Sequence, residues 1–287
     1  MFAAAVAILI CMLPSCRHEN KTKSSVAVTI APQKYLLEKI VGDRYDVVTL
    51  LSANDDPETY DPTVTSLMSL QDSKAFFRVG TLGFELAALG KITESMPDMK
   101  IVNSSEGITL LEGTHGGPRG YDPHVWTSVR NARIMARNMY NAMVRLDPKS
   151  EKYFTRRYKA LDHDLQQTDS LIAARLAGAK GHTFMMRHPS LGYFARDYGL
   201  KQLTLELNGK EPTPRELRHR LDEAAGANPD VFFIEKGKGA DAARSVATNM
   251  NIPVVEISLL DYDWKQNMLK VADAIATRAA DKSGEGK

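Results

Sequence analysis

Apolar residues along the chain fall into two alternating patterns. Short, nearly continuous runs rich in β-branched and aromatic residues occupy positions 26–30, 47–51, 75–79 and 100–103. A second set occupies 182–186, 202–205, 231–234 and 253–257. Runs of this length without strict polar alternation predict strands covered on both faces. Amphipathic stretches such as 215–225 and 241–250 separate them and predict helices. The longest helical pattern lies between the two sets, where Phe154, Tyr158, Leu161, Leu165, Ile172 and Leu176 recur at three- and four-residue spacing. Pro148 and Ser150 suit its start and Gly178 its stop. A helix of roughly thirty residues would extend about 45 Å. The prediction is an α/β protein of two lobes, each a mainly parallel four-stranded sheet with flanking helices, bridged by one long rigid helix.

The N-terminus departs from this alternation. Residues 1–15 carry no charge, and the apolar run at 3–13 is too short to span a bilayer but has the length of a signal-peptide core. It ends in Leu13-Pro14-Ser15-Cys16, which resembles a bacterial lipoprotein cleavage box, although no Lys or Arg precedes the run. Cys16 would become a lipidated N-terminus. Cys11 would leave with the signal, so the folded domain would contain no disulfide. The expected organisation is a signal peptide at 1–15, a polar tether at 16–25, a first lobe at 26–147, the bridging helix at 148–178 and a second lobe at 179–283. Charged residues are 25% of the chain and hydrophobic residues 43%, as in ordinary globular proteins. A net charge of +2 with no polybasic block gives no reason to expect a nucleic-acid partner.

Candidate chemistry lies just beyond the predicted strands. Glu58, within Asp56-Pro57-Glu58-Thr59-Tyr60-Asp61-Pro62, follows the second strand. His124, in Asp122-Pro123-His124-Val125-Trp126, follows the fourth, and His188, in His188-Pro189, follows the fifth. Ser258, Asp261 and Asp263 follow the last. Open parallel sheets bind ligands beyond the carboxyl ends of their strands, and imidazoles with carboxylates suit a divalent cation. The adjacent prolines stiffen the backbone beside each donor. Trp126 and Trp264 read as packing anchors, and His163 and His219 as surface groups. Gly237-Lys238-Gly239 is a weak phosphate cradle with no P-loop or dinucleotide fingerprint around it.

The same segments resemble the solute-binding proteins of ATP-driven importers for zinc and manganese. The resemblance runs from about Val26 to Ala280. Residues 122–126 with Asn131-Ala132 match the family's second-ligand motif, and residues 188–200 its third. Glu211-Pro212-Thr213-Pro214 and residues 231–235 fit further stretches. It implies two α/β lobes joined by a stiff helix, and a monomer outside the cytoplasmic membrane, in the periplasm or at the surface. It also implies lipid anchoring through Cys16 and delivery of Zn²⁺ or Mn²⁺, with Fe²⁺ as a further candidate, to an ABC-type permease.

Two positions depart from the family pattern. Glu58 stands where a first His is usual, and Ser258 stands at the carboxylate position after the last strand. The expected ligands are Glu58, His124 and His188, with Asp261 or water in fourth place. One carboxylate with two imidazoles hardens the site toward Mn²⁺ or Fe²⁺, yet Zn²⁺ accepts the same donors and binds more tightly. His115 is the single His of a Gly-rich flap, and Arg187 is expected to turn away from the cation. Alternative functions are a surface adhesin or a relative with a lapsed site. A metal-dependent hydrolase is a further alternative, for which no His-Glu-x-x-His helix or nucleophile elbow is present.

Overall fold

The computed structural model describes residues 23–52, 55–113, 120–206, 212–235 and 240–285. The first lobe places β1 (Ser24–Val28), β2 (Tyr45–Thr49), β3 (Ser73–Arg78) and β4 (Lys100–Asn103) in one parallel sheet of order β2-β1-β3-β4. The second lobe repeats the arrangement with β5 (Thr183–Met186), β6 (Lys201–Thr204), β7 (Phe232–Glu235) and β8 (Val254–Ile257), in order β6-β5-β7-β8. All eight predicted strands are present, and the first two are displaced two residues toward the N-terminus. Ser24 and Ser25, expected in the tether, already belong to β1.

Helices cover both faces of the sheets. In the first lobe these are α1 (Ala31–Val41), α2 (Val64–Met68), α3 (Gly83–Ser95) and α4 (Val129–Leu146). In the second they are α6 (Gly192–Tyr198), α7 (Pro214–Ala227), α8 (Ala240–Asn249) and α9 (Trp264–Glu285). The predicted α7 and α8 are each recovered to within two residues. Alternation along the second-lobe strands divides the apolar side chains between two cores. Phe184, Met186 and Phe233 face the core shared with the first lobe. Met185, Phe232 and Ile234 face a smaller core with Ala224 of α7 and Ala243 and Ala247 of α8. This two-sided burial is why the strands read as continuous apolar runs.

The bridging helix is α5 (Glu151–Arg175), preceded by a 3₁₀ turn at Pro148–Ser150 and followed by another at Ala177–Ala179. Its 25 residues extend about 37 Å, less than the sequence pattern predicted. The Leu176 amide still makes an α-helical bond to Ile172, after which the backbone tightens into the 3₁₀ turn, where the Ala179 amide bonds to the Leu176 carbonyl at 3.0 Å. Phe154, Leu161, Leu165, Thr168 and Ile172 form its buried face. Ion pairs tie the same helix to both lobes: Asp162 to Arg133 at 2.8 Å and Asp169 to Arg130 at 3.3 Å on α4, and Asp164 to Lys265 at 2.5 Å and Arg175 to Asp273 at 2.7 Å on α9.

A second tie crosses directly between the lobes. The Trp126 indole donates to the Leu259 carbonyl at 3.1 Å, and the Trp264 indole donates to the Trp126 carbonyl at 2.7 Å. Both rings are buried. Tyr193 adds a third link, donating its hydroxyl to the Asp122 carbonyl at 2.8 Å while accepting from the Leu111 amide at 3.2 Å. Trp264→Phe would leave the buried Trp126 carbonyl without that donor, at about 1–3 kcal/mol, and open a small cavity. The expected loss of unfolding free energy is roughly 2–4 kcal/mol, measured by urea denaturation. A loss under about 0.5 kcal/mol, the scale of an inconsequential surface change, would show that the indole clasp adds little.

Candidate metal centre

Three loops leave the carboxyl ends of their strands and meet. The loop after β2 turns at residues 57–59, where the Asp56 carboxylate accepts from the Glu58 amide and the Thr59 hydroxyl, each at 2.9 Å. This local turn fixes the direction of the Glu58 side chain. Tyr60 then anchors the segment edge-on against Phe84 of α3, with ring centroids 5.1 Å apart.

His124 opens a 3₁₀ turn at Val125–Thr127, and its carbonyl accepts from both the amide and the hydroxyl of Thr127. One oxygen of Asp122 lies 2.9 Å from the His124 amide and 2.9 Å from its Nδ1. A carboxylate at Nδ1 places the proton there and leaves Nε2 as the electron-pair donor. The ring is buried, 5.2 Å from that of Trp126. Gly192 is required on the opposite lobe, because a Cβ there would come 2.6 Å from Asp122 Oδ2.

His188 is arranged in the same way from the second lobe. Its Nδ1 lies 2.8 Å from Glu206 Oε2, and the other Glu206 oxygen holds Arg187 Nη2 at 2.8 Å. Arg187, expected to turn away from the cation, thus sits on the far oxygen of the carboxylate that orients His188. Glu206 carries a role that sequence reasoning left unassigned. Its one signal is an acidic residue directly beyond a predicted strand end, at the start of the kind of exit loop that supplied the other candidates.

These loops bring Glu58 Oε1 to 3.6 Å from His124 Nε2 and 3.5 Å from His188 Nε2. The donor atoms of the three side chains all lie within 4.8 Å of one another. A tetrahedral site with bonds of about 2.1 Å has edges of about 3.4 Å, so the spacing fits a small divalent cation. Asp261 is not part of this group; it and Asp263 are exposed. The reason lies in the preceding residues: Leu259 is buried with its carbonyl held by Trp126, and the chain turns outward before burying Trp264. The half-buried Ser258 has its amide bonded to Asn267 Oδ1 at 3.2 Å. Cys16, His115, Glu211 and Gly237-Lys238-Gly239 lie outside the described residues.

The sequence matches the family described as ZnuA, zinc-uptake complex component A, periplasmic, over residues 26–278. The chain belongs to this family. A ZnuA crystal structure superposes with a TM-score of 0.84 at 32% identity, covering 90% of this chain and 99% of that one. The high-affinity zinc uptake system protein ZnuA of Bacillus subtilis is 25% identical over 252 residues, 83% of this chain and 79% of that protein. The binding protein FpvC of Pseudomonas aeruginosa, determined with Mn²⁺, shares the fold at a TM-score of 0.78 and 21% identity, covering 91% of this chain and 99% of that one. As a ZnuA-family member the chain is an extracytoplasmic solute-binding protein that binds a divalent metal for ABC-type uptake, and not an enzyme. Among the described residues no helix is long and apolar enough to cross a membrane.

The electrostatics of the ZnuA-type site set its coupling to protons. Burial opposes charge on the His188 ring, but hydrogen bonds to Glu206 and Glu58 and the nearby Glu58 and Glu235 charges outweigh it and push its pKa up to about 10. A raised folded pKa means that the protonated ring stabilises the metal-free protein fully below about pH 6.5, its unfolded value. That contribution disappears as pH rises through about 10. At neutral pH a cation must therefore displace a proton from Nε2. Calorimetric titration with Zn²⁺ at pH 7 in buffers of differing ionisation enthalpy should show release of about one proton per metal. Heats independent of the buffer would refute a protonated His188.

Proposed function

We propose that Glu58, His124 and His188 capture one Zn²⁺ or Mn²⁺ outside the cytoplasmic membrane, with water in the fourth position. The protein would then pass the ion to an ABC permease. The observation that carries this reading is the convergence of one carboxylate oxygen and two ring nitrogens, from two separate sheets, at spacings of 3.5–3.6 Å around Glu58. Zinc is favoured as cargo. It accepts a low-coordinate set of two imidazoles and one carboxylate, binds more tightly than manganese in the Irving–Williams series, and is the metal named for the 32%-identical relative solved with zinc bound. Manganese would require more oxygen donors than the three side chains provide. In the cell the domain would be held to the membrane through a lipid on Cys16, with the polar segment that follows acting as a spacer.

The test is chelation of the purified protein followed by reloading with equimolar Zn²⁺, Mn²⁺ and Fe²⁺ under anaerobic conditions and elemental analysis. Near-stoichiometric zinc is expected, together with a rise in melting temperature. A ligand present at about a thousand times its dissociation constant adds roughly 4 kcal/mol. Glu58→Ala and His188→Ala should each abolish retention. Failure of the unaltered protein to keep any of the three metals would remove the capture reading in favour of a lapsed site or an adhesive role.

A further inference from the structure

Glu85 is a fully buried carboxylate at a place where open α/β sheets ordinarily bind ligands. In the first sheet the chain leaves β1 toward β2 on one side while β3 lies on the other, so the topological switch point falls between β1 and β3. Glu85, in the first turn of α3, fills that crevice. Its Oε1 accepts from the Thr29 hydroxyl beyond β1 at 2.5 Å and from the Val79 amide beyond β3 at 2.6 Å. Its Oε2 accepts from the Gly80 amide at 2.7 Å. Burial pushes its pKa up, opposed by these three hydrogen bonds and by Arg78. A charge-bearing group in such a position is costly to retain for packing alone.

The loop that Glu85 grips continues directly to the metal centre. Gly80 adopts φ +100°, and a Cβ there would meet the Asn103 side chain at 1.8 Å, so only glycine presents this amide to the carboxylate. The next residue, Thr81, is buried and donates its hydroxyl to the Pro123 carbonyl at 2.7 Å. Pro123 directly precedes His124. We propose that Glu85 is a positioning residue for His124, clamping the loop after β3 so that Thr81 fixes the Pro123 carbonyl and the imidazole that follows it. Glu85 touches neither the cation nor its ligands. The inference rests on the metal-capture reading for its importance and on the hydrogen-bond chain for its geometry.

Two substitutions cut the chain at different links. Glu85→Gln sets an amide NH₂ against at least one of the three donors, and Thr81→Val removes only the link to Pro123. Zn²⁺ affinity by chelator competition and the visible spectrum of the Co²⁺ form report on the loaded site. Long-range ¹H–¹⁵N imidazole spectra of the metal-free protein report on His124, with His182, which precedes β5 and is bonded to Asp230, as an internal control. Both variants are expected to weaken Zn²⁺ binding about tenfold, the lower end for groups that orient a ligand, and to alter the Co²⁺ spectrum. His124 resonances should move while those of His182 stay in place. Unchanged affinity and unchanged His124 resonances in both variants would overturn the proposal, whatever the melting temperature does. Should Glu85→Gln fail to fold, Thr81→Val decides alone. If the unaltered protein takes up no metal, the capture reading fails separately, and the metal-free imidazole spectra still decide whether Glu85 holds His124.

Discussion

Two imidazoles and a carboxylate, supplied by two different sheets, have to be held within 4.8 Å of one another before any cation arrives. The metal-free site meets this constraint by charge compensation. A proton on His188, stabilised by Glu58 and Glu206, stands where the cation's charge will later be, so the half-buried Glu58 is not left without a countercharge. Capture is then an exchange of one positive charge for a larger one within an arrangement already assembled. Little side-chain entropy remains to be lost on binding, because Asp122 and Glu206 have fixed both rings and Asp56 has fixed the turn that carries Glu58.

The architecture serves the same constraint at larger scale. Donors on separate lobes keep their spacing only if the lobes do not drift, and α5 carries ion pairs to helices of both. The reciprocal Trp126 and Trp264 hydrogen bonds lie two residues from His124, and the Trp126 ring packs against its imidazole. The same clasp that joins the lobes thus supports a ligand. It also accounts for the outward course of the loop after β8. With the Leu259 carbonyl committed to Trp126 and Trp264 buried, residues 261–263 are left at the surface.

The fold was largely legible in the sequence, because two-sided burial makes parallel strands appear as continuous apolar runs and because the long helix repeats its buried face over several turns. Strand limits near residues 26 and 47 were less legible, since Ser24, Ser25 and Asp46 lack the apolar character that marks the rest of their strands. Glu58, His124 and His188 could be singled out because each lies in the loop that follows a strand and sits beside proline. Asp261 met a similar sequence criterion, yet it is not brought to the group. Its direction depends on an indole from a residue 135 positions earlier in the chain, which no local pattern records. Glu206 and Glu85 act through hydrogen bonds between segments far apart in sequence, and an acidic residue after a strand or in a first helical turn is too common to reveal that role.

Tight capture must end in release, and the restraints on the three donors are unequal. His124 is buried and held by Asp122, Thr127 and the Thr81–Pro123 bond beside it, so moving it would disturb the interlobe clasp as well. His188 is joined through Glu206 to Arg187 in the second lobe. Glu58 is restrained by the Asp56 turn within its own loop and by the contact of Tyr60 with Phe84. Displacing Glu58 disturbs the Asp56 turn, at about 1 kcal/mol per hydrogen bond, and its contacts with the two imidazoles, without requiring the Trp126–Trp264 clasp or the ion pairs of α5 to break. A partner that pulled on the 56–60 turn could open the site at far lower cost than one that separated the lobes. It would leave behind two imidazoles, each still held at Nδ1 by its own carboxylate, Asp122 or Glu206.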